Sequence, residues 1–172
     1  MSRFCCVDVD YRERAVVAAC VAFAGWAAPS PELERTVVTP GAAADYEPGA
    51  FYRRELPYLL SVLATLPRPP ELIVIDGFVW LGAQQPGLGA HLHAALAGHS
   101  AVVGVAKRPY RGALAIPLQR GHSEQPLYVD AIGLPLDEAV AGVRAMHGPH
   151  RIPTLLKRVD RLSRDTPAPA PA

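Results

Sequence analysis

The chain has 172 residues, of which 50% are apolar and 19% are charged, and its formal net charge is +1. This length supports one hydrophobic core without disulfides or structural metals. The near-neutral charge provides no strong field that would attract nucleic acid or a membrane, so nucleic-acid binding requires a local patch. No apolar run reaches the roughly 20 residues that span a bilayer, and no membrane partner is expected.

The three cysteines, Cys5, Cys6 and Cys20, all lie in apolar runs and form no C-x-x-C pair. Such positions are typical of buried, reduced thiols, which indicate a reducing compartment. No secretory signal pattern precedes the first predicted strand. We therefore expect a cytoplasmic protein. We also expect a monomer, although the sequence does not determine the oligomeric state.

The first 40 residues predict three strands with short connections. The first strand covers residues 4–9, the second lies within 12–25, and the third covers 32–39. The polar residues 11–14 between the first two strands suffice for a hairpin. Three such strands in succession predict an antiparallel meander.

Beyond residue 50, predicted helices alternate with predicted buried strands. Residues 51–66 place leucines at helical spacing, and Pro57 is expected in the first turn of that helix, where a missing N–H costs nothing. The run Leu72 to Ile75 is apolar on both faces, which is typical of a central parallel strand. The remaining predicted elements are a helix in 87–99, strands in 101–107, 113–119 and 126–133, and helices in 134–148 and 152–164.

A meander followed by α/β units on one sheet is the order of the ribonuclease H-like fold. The sequence therefore predicts a mixed α/β sheet of that class, with an antiparallel three-strand meander, as a single domain over residues 1–165. The tail, residues 166–172, is rich in proline and alanine and is expected to be disordered or polyproline-like.

Two carboxylates, Asp8 and Asp10, interrupt the first apolar strand. Ionised aspartate is costly to bury, so solvent, a basic group or a metal ion must compensate for it. Asp76 ends the buried strand "LIVID", where open α/β sheets place their active residues, and Glu55 comes from the segment between them. Three carboxylates meeting there would repel one another unless a divalent cation held them. Oxygen ligands suit Mg²⁺ or Mn²⁺.

Lys107 closes the buried strand "AVVGVAK", where it could reach a phosphate or a water molecule. Carboxylates and a lysine are the residue types of metal-assisted phosphodiester hydrolysis. An acid at the end of a strand is, however, often only a turn former or a helix cap. Spacing alone therefore leaves a purely structural role open for each acid.

Five motifs, in this order, resemble the endonuclease V family of deoxyinosine-directed nucleases over about residues 4–160. They are "VDVDY", "YEPGAFYRRELP", "LIVIDG", "GVAKRPYRG" and "RIPTLLK". The resemblance implies the ribonuclease H-like fold and a Mg²⁺-dependent endonuclease of DNA repair, with Mn²⁺ as a possible replacement. Its substrate would be DNA or RNA, cut near a deaminated purine such as inosine.

The resemblance also implies roles for individual residues. Asp8 and Asp76 would bind the metal directly, and Glu55 would bind it through water or orient the attacking water. Lys107 would stabilise the scissile phosphate. The expected substrate-binding residues are Tyr46, Pro48, Gly49 and Gly77, the first three in a wedge beside the altered base.

The departures from the family fall mainly on base recognition. A glutamine replaces the histidine of the family's His-Pro-Arg segment, no arginine follows, and bulky Phe78 and Trp80 enter what is normally a small-residue loop. Leu134 replaces a late histidine, and the wedge carries Glu47, whose charge would repel phosphate. These changes leave the three acids and the lysine intact, which favours retained metal chemistry with altered or relaxed base recognition.

Two alternatives stay open. One is an inactive nucleic-acid-binding or interaction module on the same fold. The other is a hydrolase of a small phosphoester, which would be favoured if Phe78 and Trp80 filled the base pocket. Convergence of Asp8, Glu55 and Asp76 would distinguish a nuclease from the inactive module. The negative charge of Asp10 is expected to be compensated by water.

Overall fold

The computed structural model describes residues 3–45, 47–48 and 50–168. Its strands are β1 (Phe4–Tyr11), β2 (Ala15–Phe23), β3 (Leu33–Pro40), β4 (Leu72–Asp76), β5 (Trp80–Gly82), β6 (Gln85–Pro86), β7 (Ala101–Ala106), β8 (Ile116–Leu118) and β9 (Leu127–Ile132). Its helices are α1 (Phe51–Leu63), α2 (Leu88–Ala95), α3 (Leu136–Ala145) and α4 (Thr154–Asp165).

The first three strands form the predicted meander. β1 pairs antiparallel with β2 from Phe4↔Phe23 to Tyr11↔Val16, and β2 pairs antiparallel with β3. Every residue of β2 is buried, because α1 packs against one of its faces and α4 against the other. This double coverage explains why β2 is a continuous apolar run with no alternation.

Parallel pairing joins the meander to the second half of the chain. β4 lies between β1 and β7 and is parallel to both, as its apolar run predicts. β9 then pairs antiparallel with β7 and with β8, which gives the order β3-β2-β1-β4-β7-β9-β8 in the described residues, with β3 and β8 at the two edges. This mixed sheet has the predicted ribonuclease H-like arrangement.

The two faces of the sheet carry separate cores. Cys6 belongs to the core that includes α3 and α4, whereas its neighbour Cys5 belongs to the core under α1 and α2, because successive side chains of a strand alternate. All three cysteines are buried and free, as predicted. The Cys6 thiol donates to the Leu155 carbonyl oxygen at 3.3 Å and so joins β1 to α4.

The predicted position of Pro57 is wrong. α1 begins at Phe51, so Pro57 lies inside the helix and not in its first turn. Proline has no N–H to donate to the carbonyl four residues earlier, which here belongs to Arg53. The buried side chains that follow, Leu59, Val62 and Leu63, hold the helix on the sheet despite this missing bond.

The small sheet formed by β5 and β6 was not predicted from the sequence. It lies in the loop after β4, and it pairs Trp80 with Pro86 and Gly82 with Gln85. In the described part of the chain, no helix is long and apolar enough to cross a membrane. Most of the predicted disordered tail, residues 169–172, lies outside the described residues.

Gly104 in β7 gives a direct test of the packing that positions the loop after β4. A Cβ at this residue would lie 2.3 Å from Asp130 Oδ1 and 2.5 Å from the Gly77 carbonyl oxygen. We expect Gly104→Ala to lower the free energy of unfolding by roughly 1–3 kcal/mol, because backbone and a buried carboxylate must move. Thermal denaturation measures the effect. Gly25→Ala is the control, since nothing lies within 4 Å of a Cβ there; equal stability of the two variants would contradict this packing.

Candidate active site

The parallel pairing of β1 with β4 places two acids at one edge of the sheet. Asp8 and Asp76 follow the paired residues Val7 and Ile75, so both lie where the two strands approach their carboxyl ends. Glu55 approaches from α1 and is only 6% exposed. The three acids predicted from the sequence therefore gather at this edge.

The pKa values of Asp8 and Glu55 reflect the charges of the neighbouring acids. The pKa of Asp8 is raised to about 7, mainly by burial and to a smaller extent by repulsion from Asp76. A hydrogen bond from the Val9 backbone N–H opposes this rise. Burial, followed by repulsion from Asp8 and Asp76, raises the pKa of Glu55 to about 8, and the positive charge of Arg54 opposes it. The acids therefore form one coupled cluster in which full ionisation is unfavourable.

Asp160 on α4 is a fourth acid that the sequence reasoning missed. Its carboxyl lies close enough to Asp8 to help raise the pKa of that acid, and it accepts a hydrogen bond from Arg164. Asp160, Asp8, Asp76 and Lys107 line one pocket of about 110 Å³. A signal was present in the sequence, because Asp160 lies four residues after Leu156 and therefore on the same side of the helix, beside the buried Val159.

Lys107 follows β7 directly and reaches the cluster. Its Nζ donates to Asp76 Oδ2 at 3.1 Å, and its side chain is 46% exposed. Arg151, from the motif "RIPTLLK", donates to the backbone carbonyl oxygens of Lys107, Pro126 and Gln125. Arg151 thus fixes the backbone from which the lysine extends.

The expectation that water compensates for Asp10 is wrong. Arg12 Nε donates to Asp10 Oδ2 at 2.8 Å, and Arg12 Nη2 donates to the carbonyl oxygens of Ser163 and Arg164, each at 2.9 Å. These carbonyls lie at the C-terminal end of α4, which lacks N–H partners of its own there. Asp10 and Arg12 therefore form a clamp that fastens the end of α4 to the turn between β1 and β2.

The predicted substrate-binding residues are only partly described. Tyr46 and Gly49 lie outside the described residues, and Pro48 is exposed. Glu47, which was expected to repel phosphate, accepts a hydrogen bond from Arg53 at 3.2 Å. This ion pair offsets part of the negative charge of the wedge.

Gly77 adopts a φ of +143° and lines a second pocket of about 260 Å³ next to the acids. Glycine takes this conformation without the steric cost of a Cβ. Aromatic rings from α1, from the loop after β4 and from the loop after β7 form much of the pocket wall. These rings belong to Phe51, Tyr52, Phe78 and Tyr110.

Asp130 in β9 holds the loop that forms this pocket, and the sequence reasoning missed it. Its carboxylate accepts hydrogen bonds from the backbone N–H groups of Val79 and Trp80, at 2.9–3.0 Å. Burial raises the pKa of Asp130, and the same N–H groups oppose the rise. The Trp80 Nε1 donates to the Ala131 carbonyl oxygen at 3.3 Å, and Trp80 is not part of the pocket wall.

The histidines take no part in the acid cluster. His91 stacks on the Tyr52 ring with centroids 3.5 Å apart, whereas His93 Nδ1 lies 2.8 Å from the Ser100 carbonyl oxygen. His91 and His93 lie two residues apart on α2, so their side chains point about 200° apart around the helix axis. The other four histidines are exposed.

The acids suit a divalent cation by their chemistry more than by their present orientation. Within residues 3–45, 47–48 and 50–168, no group of three or more His, Cys, Asp or Glu side chains is arranged to hold a metal ion. Asp76 accepts a hydrogen bond from Lys107, and Asp160 lies near Asp8. All the available ligand atoms are nevertheless carboxylate oxygens, which Mg²⁺ and Mn²⁺ prefer, and a cation would relieve the repulsion that raises the pKa values.

Comparison of the sequence with protein families and with individual proteins gives endonuclease V in both cases. A family model described as Endonuclease V matches residues 1–147. Endonuclease V of Streptomyces avermitilis is 35% identical over 182 residues, which cover 92% of this chain and 77% of that protein.

Two solved structures extend the comparison to the fold. The crystal structure of endonuclease V from Streptomyces avermitilis has a TM-score of 0.76 at 30% identity and covers 94% of this chain and 79% of that one. Ciona intestinalis endonuclease V, solved with a 24mer DNA containing an inosine followed by a ribo-adenosine, has a TM-score of 0.77 at 18% identity. That match covers 95% of this chain and 85% of the Ciona chain.

The coupled acids make stability depend on pH. Asp8 and Glu55 hold their protons more tightly in the folded chain than in the unfolded one, so stability falls as the pH rises from the ordinary carboxyl range to about 8. We expect Asp8→Asn to flatten this fall and to stabilise the metal-free protein at pH 8 by at least about 1 kcal/mol. Thermal denaturation in EDTA across this pH range measures both effects.

Asp10→Asn is the matched control for that experiment. It removes a carboxylate from the same strand, but this carboxylate is paired with Arg12, so no stabilisation is expected. If Asp8→Asn is no more stable than the unaltered protein at pH 8 in EDTA, the acids do not repel one another as described.

Proposed function

The chain belongs to the endonuclease V family, a family of nucleases, and from that premise we propose that it is a divalent-metal-dependent endonuclease. It would hydrolyse a phosphodiester bond in nucleic acid near a deaminated purine. Family membership confirms the resemblance that the five motifs predict. The observation that carries the proposal is the gathering of Asp8, Glu55 and Asp76 in one coupled cluster beside Lys107.

Asp8 and Asp76 would hold the ion, with Asp160 available as a further carboxylate from α4. A bound Mg²⁺ or Mn²⁺ would polarise the phosphoryl oxygen and neutralise the charge that develops there. Without the ion, burial and repulsion between the carboxyl groups raise the pKa values of Asp8 and Glu55, and Lys107 pairs with Asp76.

Glu55 is the group best suited to act on the attacking water. It is buried and lies beside Asp8 and Asp76, the proposed ligands of the ion. A bound cation would relieve the repulsion that raises the pKa of Glu55, so that its carboxylate would be ionised and able to accept a proton. Glu55 would orient the water and accept its proton as the oxygen attacks phosphorus.

Lys107 would stabilise the negative charge of the scissile phosphate. Its side chain is half-exposed and its partner Asp76 is equally accessible, so the ammonium can exchange that carboxylate for a substrate oxygen. A positive charge fixed where negative charge develops lowers the barrier to reaction. The hydrogen bonds from Arg151 keep the start of the lysine side chain in place for this step.

The aromatic pocket beside Gly77 supports altered base recognition. Its rings can stack on any base, because every base has a π-face, and the sequence lacks the His-Pro-Arg segment of the family. The inosine-containing DNA bound to the Ciona relative makes inosine the first base to test. A hydrolase of a small phosphoester would be favoured if both Phe78 and Trp80 filled this pocket. Phe78 lines the pocket but Trp80 does not, so this alternative is less well supported.

The test is cleavage of labelled single- and double-stranded DNA and RNA, each with and without one inosine, in Mg²⁺, Mn²⁺ or EDTA. We expect cutting that requires the metal, with a preference for inosine weaker than strict dependence on it. Asp8→Ala and Asp76→Asn should each lower the cleavage rate by at least about 100-fold, because each removes charge that holds the ion.

Asp160 provides a separate arm of the same assay. Asp160→Asn should lower the rate by at least about tenfold, whereas Asp165→Asn, an exposed change on the same helix, should leave it unchanged. Cutting that survives Asp8→Ala would reveal a contaminating nuclease. The proposal would be overturned if no strand were cut in either metal.

A further inference from the structure

Arg54 and Tyr11 form a polar pair that the proposed chemistry does not use. Arg54 directly precedes Glu55 in α1, and its guanidinium carbon lies 4.1 Å from the centre of the Tyr11 ring, at the end of β1. The Arg54 Nε and the Tyr11 hydroxyl are both buried, and neither has a hydrogen-bond partner among the described residues. A buried donor without an acceptor costs about 1–3 kcal/mol, so these two donors, on residues in contact with each other, require an acceptor that the described residues do not supply.

Other arginines near the acid cluster already have acceptors. One pairs with the wedge, one clamps the end of α4, one holds the backbone of Lys107, and one pairs with Asp160. These are Arg53, Arg12, Arg151 and Arg164. Arg54 differs because its described contact is the face of an aromatic ring, which orients a guanidinium without neutralising it.

The location of the pair suggests the chemistry of the missing acceptor. Glu55 and Asp8 act electrostatically on Tyr11, so the pair borders the acid cluster directly. The first turn of α1 carries no acidic side chain, and the adjacent Glu55 acts on Arg54 through its charge but accepts no hydrogen bond from the Arg54 Nε. A planar guanidinium presents its N–H groups in a fork that matches the oxygens of a phosphate, and a phenol adds one further donor.

We propose that Arg54 and Tyr11 form a subsite for a backbone phosphate of the substrate strand, next to the phosphate that is cut. This inference rests on the proposed nuclease function. Arg54 supplies the charge and the donor fork, and Tyr11 supplies a rigid platform and its hydroxyl. The subsite fixes the strand without reading its sequence, as phosphate contacts do.

The test is binding of a short labelled DNA strand in EDTA, where no cutting occurs, followed by fluorescence anisotropy over a range of salt concentrations. Arg54→Gln should weaken binding by about 5- to 30-fold and lower the slope of log K against log salt by about one phosphate contact. Arg54→Lys should restore the slope but only part of the affinity, because it keeps the charge and loses the fork. Tyr11→Phe, which keeps the platform, should weaken binding by about 2- to 5-fold.

Arg68→Gln is the matched control, since it makes the same charge change at an exposed residue before β4, at the opposite edge of the sheet. The comparison is repeated in a Glu55→Gln background, which removes any effect that Arg54 exerts through the charge of Glu55. Persistence of the Arg54→Gln loss in that background supports the subsite, and its disappearance overturns it.

These experiments distinguish failure of the phosphate subsite from failure of the proposed nuclease function. If the unaltered protein cuts nucleic acid but Arg54→Gln binds as well as Arg68→Gln does, the subsite is wrong and the proposed function stands. If the unaltered protein neither binds nor cuts any strand, both are overturned. Melting curves of each variant verify the fold, and Arg54→Lys keeps the inference testable if Arg54→Gln is unstable.

Discussion

Repulsion between carboxyl groups at the shared edge of β1 and β4 is the constraint on which the site depends. The two strands are apolar and buried up to this edge, so their parallel register brings the backbones of Asp8 and Asp76 side by side. Glu55 then enters from a helix packed on one face of the sheet, and Asp160 from a helix packed on the other. The fold thus concentrates negative charge where it is least stable, and that is the arrangement that a divalent cation would stabilise.

Arginines that bind backbone carbonyls hold the elements around this edge. Arg12 fastens the end of α4, and Arg151 fastens the backbone of Lys107. Arg120, itself buried, donates to the carbonyl oxygens of Met146, Gly148 and His150 and so shapes the connection between α3 and α4. Each of these guanidinium groups satisfies carbonyls that no regular element satisfies, so the charged edge rests on a rigid frame.

Patterns local in the chain could be read from the sequence, whereas partners from distant segments could not. The meander, the central strand at Leu72 and the three acids follow from apolar runs and from the places where those runs end. The role of Asp130 was not predicted, because the N–H groups that compensate for its negative charge come from Val79 and Trp80, about 50 residues earlier. The partner of Asp10, Arg12, is only two residues away, but the carbonyl oxygens that hold Arg12 in place lie at the end of α4, so the sequence did not reveal this pairing.

Asp160 and Pro57 show the limits of periodicity itself. Asp160 lies at the border of the apolar stripe of α4, where an acidic side chain is ordinarily expected to face solvent. Only the placement of α4 across β1 turns it toward Asp8. Pro57 suggests a helix start by general preference, but the buried leucines and valine after it favour a longer helix over the local rule.

Titration of the protein with Mn²⁺ by calorimetry at pH 7, in two buffers of different ionisation enthalpy, tests the central claim most directly. If the carboxyl groups share protons that a cation displaces, one ion should bind and release protons, so that the observed heat changes with the buffer. Asp8→Asn should weaken that binding and reduce the proton release, whereas Asp10→Asn should change neither. Absence of binding, or binding that is indifferent to Asp8, would contradict a cluster built around a shared cation.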